Sequence, residues 1–484
     1  MGGILFVIVP SQKTGNMIIK QLYTSSLGAA AYFIESNGEA AVIDPLRDID
    51  VYTDLAREHE AQIKYIFETH LHADFVSGHI DLQSATGAPI VYGPNAETRY
   101  PIHKAMDNES FRIGDVEIVA ISTPGHTIES TCYLLKDEQG KPHALFSGDT
   151  LLVNEIGRPD AGSNNNSIEE LATSLYDSIH NKIMTLPDDV IIYPAHGHGN
   201  SIGVQVGKES FTTIGEQKEQ NKALTNRDIA SFIEEVTSAV KSYPSYFEWN
   251  TRMNKQGYES LNSIMDKSIT ALGIGQFKEA MANEENILID TRSTLDFTEG
   301  FIPGSVYMGL TGRMEEWAGT LLSAEKSLLL ITEPGQEKET IKRLSRVGFT
   351  KFTGYLDGGF STWKNAVEPV DMIINVEADE LAMDIPFDER LVVVDVRRET
   401  EFGNAHVKQA VNIPLEELND PASMANLEDD QNLYIHCASG YRSVIAASLL
   451  KKQGIHNLRN VLGGFNSIQD EKRIEIVKED SVLN

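Results

Sequence analysis

Short apolar runs alternate with amphipathic stretches over the first half of the chain, which predicts strands separated by helices. A helical periodicity covers residues 168–184 and stops before Pro187. A charged, helix-prone segment follows at 216–241, and residues 242–257 predict the tail of this domain running into a linker. The predicted strands are residues 40–43, 63–67, 116–121, 144–146 and 190–193.

The second half of the chain contains an internal repeat of roughly 110 residues. Each copy has an apolar strand that ends in Asp-x-Arg, and each closes near Gly-Gly-Phe. These residues are Asp290, Arg292 and Phe360 in the first copy, and Asp395, Arg397 and Phe465 in the second. A period of this length is too long for a solenoid and predicts two copies of a small α/β domain.

The composition indicates a globular chain of several domains, with 484 residues, 41% apolar and 23% charged. The formal charge of −30, from 41 basic and 71 acidic residues, repels phosphate backbones and argues against a nucleic-acid partner. No apolar run reaches the length of about 18 residues that a membrane helix needs. The N-terminus lacks the features of a signal peptide. We therefore expect no membrane association and a cytoplasmic location.

A histidine or an aspartate follows each of four predicted strands. Polar residues at strand ends can converge on one edge of a sheet, and imidazole with carboxylate suits zinc or ferrous iron. A single histidine would be an ordinary surface or core residue, but four such signals in one domain predict a metal site. The signals are His70-Leu71-His72-Ala73-Asp74, Pro124-Gly125-His126-Thr127, Ser147-Gly148-Asp149-Thr150 and Pro194-Ala195-His196.

These motifs resemble those of the metallo-β-lactamase superfamily, namely His-x-His-x-Asp-His, Pro-Gly-His-Thr and Gly-Asp-Thr. The resemblance implies an αββα sandwich with metal at one edge. Phe75 stands where the dinuclear members have a second-site histidine. Because a phenyl ring cannot bind metal, we expect one metal per chain, and a dinuclear hydrolase of the glyoxalase II type is disfavoured.

Within this superfamily the pattern is similar to the persulfide dioxygenases, which hold a single ferrous iron with two histidines and one aspartate. The resemblance implies His70, His126 and Asp149 as ligands of one Fe(II), with zinc as the alternative metal, and leaves coordination positions open. It also implies that three further residues orient the ligands or waters around the metal. These are His72, Asp74 and His196.

The loop at residues 157–160 resembles the Gly-Arg-Thr-Asp loop that lies near the substrate thiol in the same family. Arg158 and Asp160 are therefore predicted to bind substrate. The alternative is a salt bridge between these two side chains within the loop. The sequence leaves both possibilities open.

Cys437 begins a tight loop between the apolar strand 433–435 and the helical run 444–452. Inward loop amides, a helix N-terminus and Arg442 all favour a thiolate. The loop resembles that of rhodanese sulfurtransferases, with Cys437 as nucleophile and Arg442 stabilising anionic sulfur. Four residues separate Cys437 from Arg442, one fewer than in related protein phosphatases, which favours sulfur transfer. The other cysteine, Cys132, lies in an apolar run and is expected in the core.

The first copy of the repeat has no cysteine at the matching position, where Thr332-Glu333-Pro334-Gly335 follows the strand. This copy is predicted to be an inactive pseudo-rhodanese. The predicted organisation is therefore an α/β chain of three domains. They are a metallo-β-lactamase-like domain at 17–262, an inactive rhodanese-like domain at 263–372 and an active one at 373–484.

The resemblance to persulfide dioxygenase–rhodanese fusions covers nearly the whole chain. It implies that a thiol persulfide is oxidised with O₂ to sulfite and thiol, and that Cys437 donates sulfur to form thiosulfate, as in sulfide detoxification. Expected partners are small molecules and a second copy of the chain, because related folds often pair. The carrier thiol (glutathione, coenzyme A, bacillithiol or another) stays open.

Two alternative functions also remain open at this point. One is a zinc-dependent, hydroxyacylglutathione hydrolase-like thioester hydrolase with an accessory rhodanese. The other is a non-catalytic scaffold that binds sulfur or senses redox state, with a structural metal. Metal identity and oxygen uptake would distinguish these possibilities.

Overall fold

The computed structural model describes residues 6–8, 12–14, 17–160, 166–197, 209–225, 228–238, 244–418, 420, 422–423, 427 and 431–478. The chain divides into two compact units. Unit 1 comprises Met1–Ile264 and Lys342–Phe349, and unit 2 comprises Met265–Ile341 and Thr350–Asn484. In the described part of the chain, every helix is too short or too polar to cross a bilayer.

Among its described residues, unit 1 contains an eight-stranded and a six-stranded sheet. The first sheet consists of β1 Phe6–Ile8, β2 Gln12–Thr14, β3 Met17–Thr24, β4 Ala29–Ser36, β5 Glu39–Ile43, β6 Gln62–Phe67, β7 Ile90–Tyr92 and β8 His103–Lys104. The second sheet consists of β9 Ser110–Ile113, β10 Val116–Ser122, β11 Thr131–Lys136, β12 Pro142–Gly148, β13 Ile191–Pro194 and β14 Thr212–Thr213. Their spatial orders are β1-β3-β4-β5-β6-β7-β8, with β2 also on β3, and β14-β13-β12-β11-β10-β9.

The helices of this part of the chain connect the strands or follow them. They are α1 Asp50–Glu58, α2 His79–Thr86, α3 Ile168–Asn181, α4 Ile214–Gln220, α5 Lys222–Thr225, α6 Ile229–Ser238, α7 Tyr246–Gln256 and α8 Leu261–Ser268. A short 3₁₀ helix, Ile183–Thr185, follows α3.

The two sheets of unit 1 face each other and carry helices on their outer faces. Neighbouring strand residues point to opposite faces, so each strand contributes to two cores. Phe67 of β6 and Phe146 of β12 lie in the core between the sheets. Their neighbours pack outward, Ile66 against α1 and α2 and Leu145 against α3 and α6. The αββα sandwich predicted for this domain is confirmed.

The five strands predicted in the first half are all present, with ends that move by one or two residues. The predicted helix 168–184 is divided, because Lys182 leaves the helical conformation (φ −121°, ψ −61°) and a 3₁₀ turn follows. Helices α4 to α6 occupy the predicted helix-prone segment; residues 226–227 and 239–243 lie outside the described residues.

The expectation that residues 242–257 run into a linker is wrong for the described part, which forms helix α7. Asn254 of α7 is fully buried. Its side-chain amide donates to the carbonyls of His72 and Phe75 and accepts from the Ser77 amide. A polar residue in a charged stretch gave no sign of this role, because its partners are about 180 positions away.

Unit 2 contains two five-stranded sheets and a two-stranded sheet among its described residues. Its strands are β15 Ala271–Leu272, β16 Asn286–Asp290, β17 Val306–Tyr307, β18 Ser327–Ile331, β19 Phe352–Leu356, β20 Ile374–Val376, β21 Leu391–Asp395, β22 His406–Val407, β23 Val411–Asn412, β24 Asn432–His436, β25 Leu458–Val461 and β26 Ile476–Val477. The further helices are α9 Ile274–Met281, α10 Thr294–Glu299, α11 Met314–Leu321, α12 Glu337–Arg346, α13 Gly359–Asn365, α14 Ala378–Asp384, α15 Glu399–Asn404, α16 Tyr441–Lys452 and α17 Gly464–Ile468, with a 3₁₀ helix at Leu415–Glu417.

The internal repeat is a repeat of topology. The first copy has the sheet order β15-β19-β18-β16-β17 and the second has β20-β25-β24-β21-β23. Numbered within its own sheet, each copy has the order 1-5-4-2-3, and every pairing in both sheets is parallel. The prediction of two small α/β domains is confirmed.

The residues that define the repeat form the same brace in both copies. In the second copy, Arg397 Nη2 donates to Asp395 at 2.6 Å and to the Ala405 carbonyl at 2.7 Å, and its guanidinium lies 3.8 Å from the centroid of the Phe465 ring. In the first copy, Arg292 Nη2 donates to Asp290 at 2.6 Å and to the Gly300 carbonyl at 2.8 Å, and its guanidinium lies 4.0 Å from the centroid of the Phe360 ring. Because only the backbone carbonyl is used, Ala405 serves in the second copy where the first copy has Gly300.

We expect Arg397→Ala to destabilise the full chain by about 3–5 kcal/mol, because it leaves the buried carboxylate of Asp395 without its cation. Urea unfolding measures this loss. Arg390→Ala, an exposed arginine of the same copy, is the control and should change stability by about 0.5 kcal/mol at most. Equal losses in the two variants would contradict a structural role for the brace.

Candidate metal centre and cysteine loop

The predicted ligands lie together because their strands end at one edge of the sandwich. Strands β10 and β12 are both antiparallel to β11, and β12 is parallel to β13. Strands β10, β12 and β13 therefore run in the same direction. His126 and Asp149 follow β10 and β12, while His70 follows β6 in the facing sheet. One ligand atom from each of these three residues lies within 4.8 Å of the other two.

The ring of His70 is oriented by a short chain of hydrogen bonds. The Thr69 hydroxyl lies 2.9 Å from Asp44 Oδ2 and 2.9 Å from His70 Nδ1. Since the hydroxyl donates its one hydrogen to the carboxylate, it must accept from Nδ1–H, which leaves a lone pair on Nε2. Burial, with the neighbouring His72, lowers the pKa of His70 well below its usual value. His70 is therefore a neutral imidazole that offers Nε2.

A backbone carbonyl holds His126 in the same tautomer as His70, with the hydrogen on Nδ1. Its Nδ1 donates to the carbonyl of Arg158 at 2.6 Å, and the Asp160 amide donates back to the His126 carbonyl at 2.7 Å. Gly157 starts this loop, and a Cβ there would lie 1.8 Å from the Asp149 carbonyl oxygen. Arg158 and Asp160 were predicted to bind substrate through their side chains; the structure places both half-exposed beside the centre.

Asp149 uses its two oxygens differently. Oδ1 lies 2.7 Å from His196 Nδ1. Oδ2 is buried without a hydrogen-bond partner among the described residues, 3.8 Å from His70 Nε2 and 3.6 Å from His126 Nε2. Three lone-pair atoms thus converge with no donor between them, which is unfavourable in a buried place unless a cation is bound. The nitrogen and oxygen donor set suits a zinc or iron ion.

His196 is committed to two carboxylates. Its Nδ1 and Nε2 donate to Asp149 and to Asp74, the latter at 3.1 Å. Burial alone would lower the pKa of His196, but the two carboxylates outweigh it and raise the pKa well above the usual value. The same contacts lower the pKa of Asp74 and Asp149 despite their burial. Both ring nitrogens of His196 therefore face carboxylate oxygens.

The ring of His72 lies 4.2 Å from the ring of His70, and both of its nitrogens are buried without a hydrogen-bond partner among the described residues. Its Nε2 is 3.2 Å from Asp44 and 3.5 Å from Glu68, and its ring stacks on Phe75 at 4.3 Å. Asp44, Glu68 and His72 form a second, fully buried group of possible ligands. Burial, with Asp44, raises the pKa of Glu68 well above its usual value, and His79 Nδ1 bonds it at 2.8 Å. Sequence patterns did not single out Glu68 or His79, because each lacks a motif of its own.

Cys437 immediately follows β24 and is 1% exposed. The Gly440 amide lies 3.1 Å from its Sγ, and the Ser443 hydroxyl lies 3.6 Å away. A Cβ at Gly464 would lie 2.4 Å from the Cys437 carbonyl oxygen, so the glycine lets the amide of Phe465 bond that carbonyl at 2.6 Å. The Gly-Gly-Phe element thus fixes the position of the Cys437 carbonyl at the start of the cysteine loop.

Arg442 is paired with a carboxylate that the sequence did not reveal. Its two terminal nitrogens lie 2.6 and 2.8 Å from the oxygens of Glu401 on α15. Although burial opposes it, this pairing raises the pKa of Arg442 above its usual value and keeps the pKa of Glu401 low. Arg442 remains a cation beside the loop, but both terminal nitrogens of its guanidinium already bond Glu401.

Cys132 lies in the core of unit 1, as expected from its apolar run. It is fully buried on β11, and its Sγ contacts the Ser147 carbonyl and the Thr123 hydroxyl. Burial raises the pKa of Cys132 to about 11. A thiol of this kind is inert at neutral pH.

Comparison with known families agrees with this architecture. The model of the metallo-β-lactamase superfamily matches residues 26–196, and the model of the rhodanese-like domain matches residues 274–366 and 377–471. The chain belongs to the metallo-β-lactamase superfamily and carries two rhodanese-like domains behind that fold. The predicted combination of domains is confirmed.

Individual relatives cover parts of the chain. The mitochondrial persulfide dioxygenase ETHE1 of Homo sapiens is 30% identical over 224 residues, which is 44% of this chain and 80% of that protein. A cytoplasmic hydroxyacylglutathione hydrolase of Arabidopsis thaliana is 31% identical over 164 residues, 34% of this chain and 60% of that protein. A crystal structure of a metallo-β-lactamase from Staphylococcus aureus has a TM-score of 0.63 and 29% identity, and covers 71% of this chain and 99% of that one.

We expect His126→Ala and Asp149→Ala to remove the bound metal. Loss of an outer hydrogen-bond partner typically costs about 10- to 100-fold in metal affinity, and loss of a direct ligand should cost at least as much. Elemental analysis of purified full-length protein measures this, with about one metal per wild-type chain expected. His103→Ala, an exposed histidine of β8, is the control. Unchanged metal content in Asp149→Ala would contradict the ligand assignment.

Proposed function

We propose that this chain is a persulfide dioxygenase and sulfurtransferase that acts in sulfide detoxification. It oxidises a low-molecular-weight thiol persulfide to sulfite and thiol: RSSH + O₂ + H₂O → RSH + SO₃²⁻ + 2H⁺. Sulfane sulfur then passes through Cys437 to sulfite and gives thiosulfate. The observation that carries the proposal is the convergence of three ligand atoms, from His70, His126 and Asp149.

The contacts around the centre favour one metal ion. His196 is bonded at both nitrogens, His72 faces two carboxylates, and Phe75 offers no donor. Iron(II) held by the three ligands would supply the open coordination positions for persulfide and O₂, while the electrons that reduce O₂ come from the persulfide sulfur as it is oxidised to sulfite. The chain itself keeps His70 neutral, orients His126 through the Arg158 carbonyl and holds Asp149 ionised. We assign Arg158 and Asp160, beside His126, to contact with the thiol carrier.

In the second reaction the nucleophile is the thiolate of Cys437. It attacks the outer sulfur of RS–SH, so that a new S–S bond forms on Cys437, the S–S bond of the carrier breaks and RS⁻ leaves. The lone pair on the sulfur of sulfite then attacks the outer sulfur of the Cys437 persulfide. Thiosulfate departs and the Cys437 thiolate returns. The Gly440 amide, 3.1 Å from Sγ, stabilises the negative charge in both steps.

The main alternative is a zinc-dependent thioester hydrolase with an accessory rhodanese. Similarity to a hydroxyacylglutathione hydrolase supports it over about a third of the chain. A hydrolase of that kind would contain zinc, consume no O₂ and cleave S-lactoylglutathione. A non-catalytic scaffold would perform neither reaction.

We expect the wild-type protein to consume one O₂ for each glutathione persulfide oxidised, measured with an oxygen electrode. Asp149→Ala should abolish the uptake because the ligand set is broken, while His103→Ala should retain it. Iron in the wild-type protein would accompany this activity. Zinc content together with hydrolysis of S-lactoylglutathione and no oxygen uptake would refute the proposal.

We expect Cys437→Ser to change the product from thiosulfate to sulfite, since the hydroxyl is a poor nucleophile toward sulfane sulfur. Ion chromatography of reactions with glutathione persulfide measures both anions. Cys132→Ala, which removes the other cysteine, is the matched control and should still give thiosulfate. Thiosulfate formation by Cys437→Ser at the wild-type rate would exclude Cys437 as the sulfur carrier.

A further inference from the structure

The two copies of the repeat share one cavity beside Cys437. Its volume is about 600 Å³, and its wall contains residues of both copies. Thr294, Thr311, Arg313 and Trp317 come from the first copy, which has no cysteine of its own. All of the lining residues belong to unit 2. The inactive copy therefore forms part of the wall at the reacting sulfur.

Direct contacts fix this part of the wall against the cysteine loop. Tyr441, the first residue of α16, donates from its hydroxyl to the Gly309 carbonyl at 2.8 Å. A Cβ at Gly312 would lie only 2.2 Å from the Tyr441 ring, so glycine is required there. The Tyr307 amide donates to the Ser448 hydroxyl at 3.0 Å. The helix that follows Cys437 is thus held by the first copy at two points.

A buried carboxylate joins arginines from the two copies. Glu316 of α11 is 3% exposed and lies 2.6 Å from Arg313 Nε and 3.1 Å from Arg398 Nη2. Arg313 Nη2 is buried and has no hydrogen-bond partner among the described residues. Arg442 differs, because both of its terminal nitrogens bond Glu401. Arg313 Nη2 is therefore a donor beside the cavity that the described residues leave without a partner.

The size of the cavity exceeds what inorganic sulfur anions need. Sites of about 300–1,000 Å³ bury organic ligands of drug size, whereas sulfite and thiosulfate would fill a small part of this volume. The wall carries three arginines and one carboxylate, together with the largely buried indole of Trp317. Such a wall suits an organic anion better than a neutral ligand.

We infer that the first copy is the carrier-binding half of the sulfurtransferase site, where Arg313 binds an anionic group and Trp317 contacts the organic part of a thiol persulfide. The ligand class is a persulfide whose thiol portion bears carboxylates or phosphates. This rests on the sulfur transfer proposed for Cys437. In that step the Cys437 thiolate takes the outer sulfur of RSSH and RS⁻ leaves, still held through its anionic group by Arg313.

The test compares two sulfur donors on the full chain. Arg313→Gln should raise the KM for glutathione persulfide, with sulfite as acceptor, by about tenfold or more, the expected cost of one charged hydrogen bond. The KM for thiosulfate, with cyanide as acceptor, should rise by less than about threefold, because this donor is small. Arg390→Gln, an exposed arginine outside the cavity, is the matched control.

Two further results make the role specific. Arg313→Lys keeps the charge and should recover part of the affinity for glutathione persulfide, and the kcat of both variants should change less than KM. Equal changes in KM for the two donors, or none, would overturn the inference. A wild-type protein that transfers sulfur from neither donor would instead refute the proposed function.

Discussion

The carboxylate of Asp149 is the group around which the chemistry of unit 1 is organised. One oxygen is held by His196, and the other faces the Nε2 atoms of His70 and His126 without a donor. A buried cluster of lone pairs is unstable unless a cation occupies it, so the surrounding contacts are those of a metal centre. The Gly157 loop, Thr69 and α7 all serve to hold these atoms in place.

The residues beside this centre differ in whether they can offer a lone pair to a metal. In the dinuclear pattern position 75 supplies a histidine, whereas here Phe75 stacks on His72. His196 donates from both of its ring nitrogens, to Asp149 and to Asp74. A ring without a lone pair and an imidazolium both fail as ligands, for different physical reasons.

The two copies of the repeat share a fold but differ at the position of the cysteine. Both keep the Asp-x-Arg pair with its aromatic neighbour, because a buried carboxylate without its cation is costly in either copy. Only the second copy keeps a cysteine, at Cys437. The first copy has kept the brace and supplies Arg313 and Trp317 to the neighbouring cavity. Stability and catalysis thus rest on different residues of the same domain type.

The sequence by itself determined five strands of the first half and the repeat, and it singled out the candidate site residues, because apolar alternation, ligand types and loop lengths are local properties. It placed His70, His126, Asp149 and Cys437 at strand ends, where the structure has them. Only the tertiary structure decided which groups face them. Arg442 pairs with Glu401, and the Arg158 carbonyl accepts from His126. Asn254 donates to the His72 carbonyl, and Arg313 lines the cavity beside Cys437. These contacts join residues that are 32 to about 180 positions apart. Such contacts depend on how elements pack, since a charged or amide side chain carries no local sign of its eventual partner.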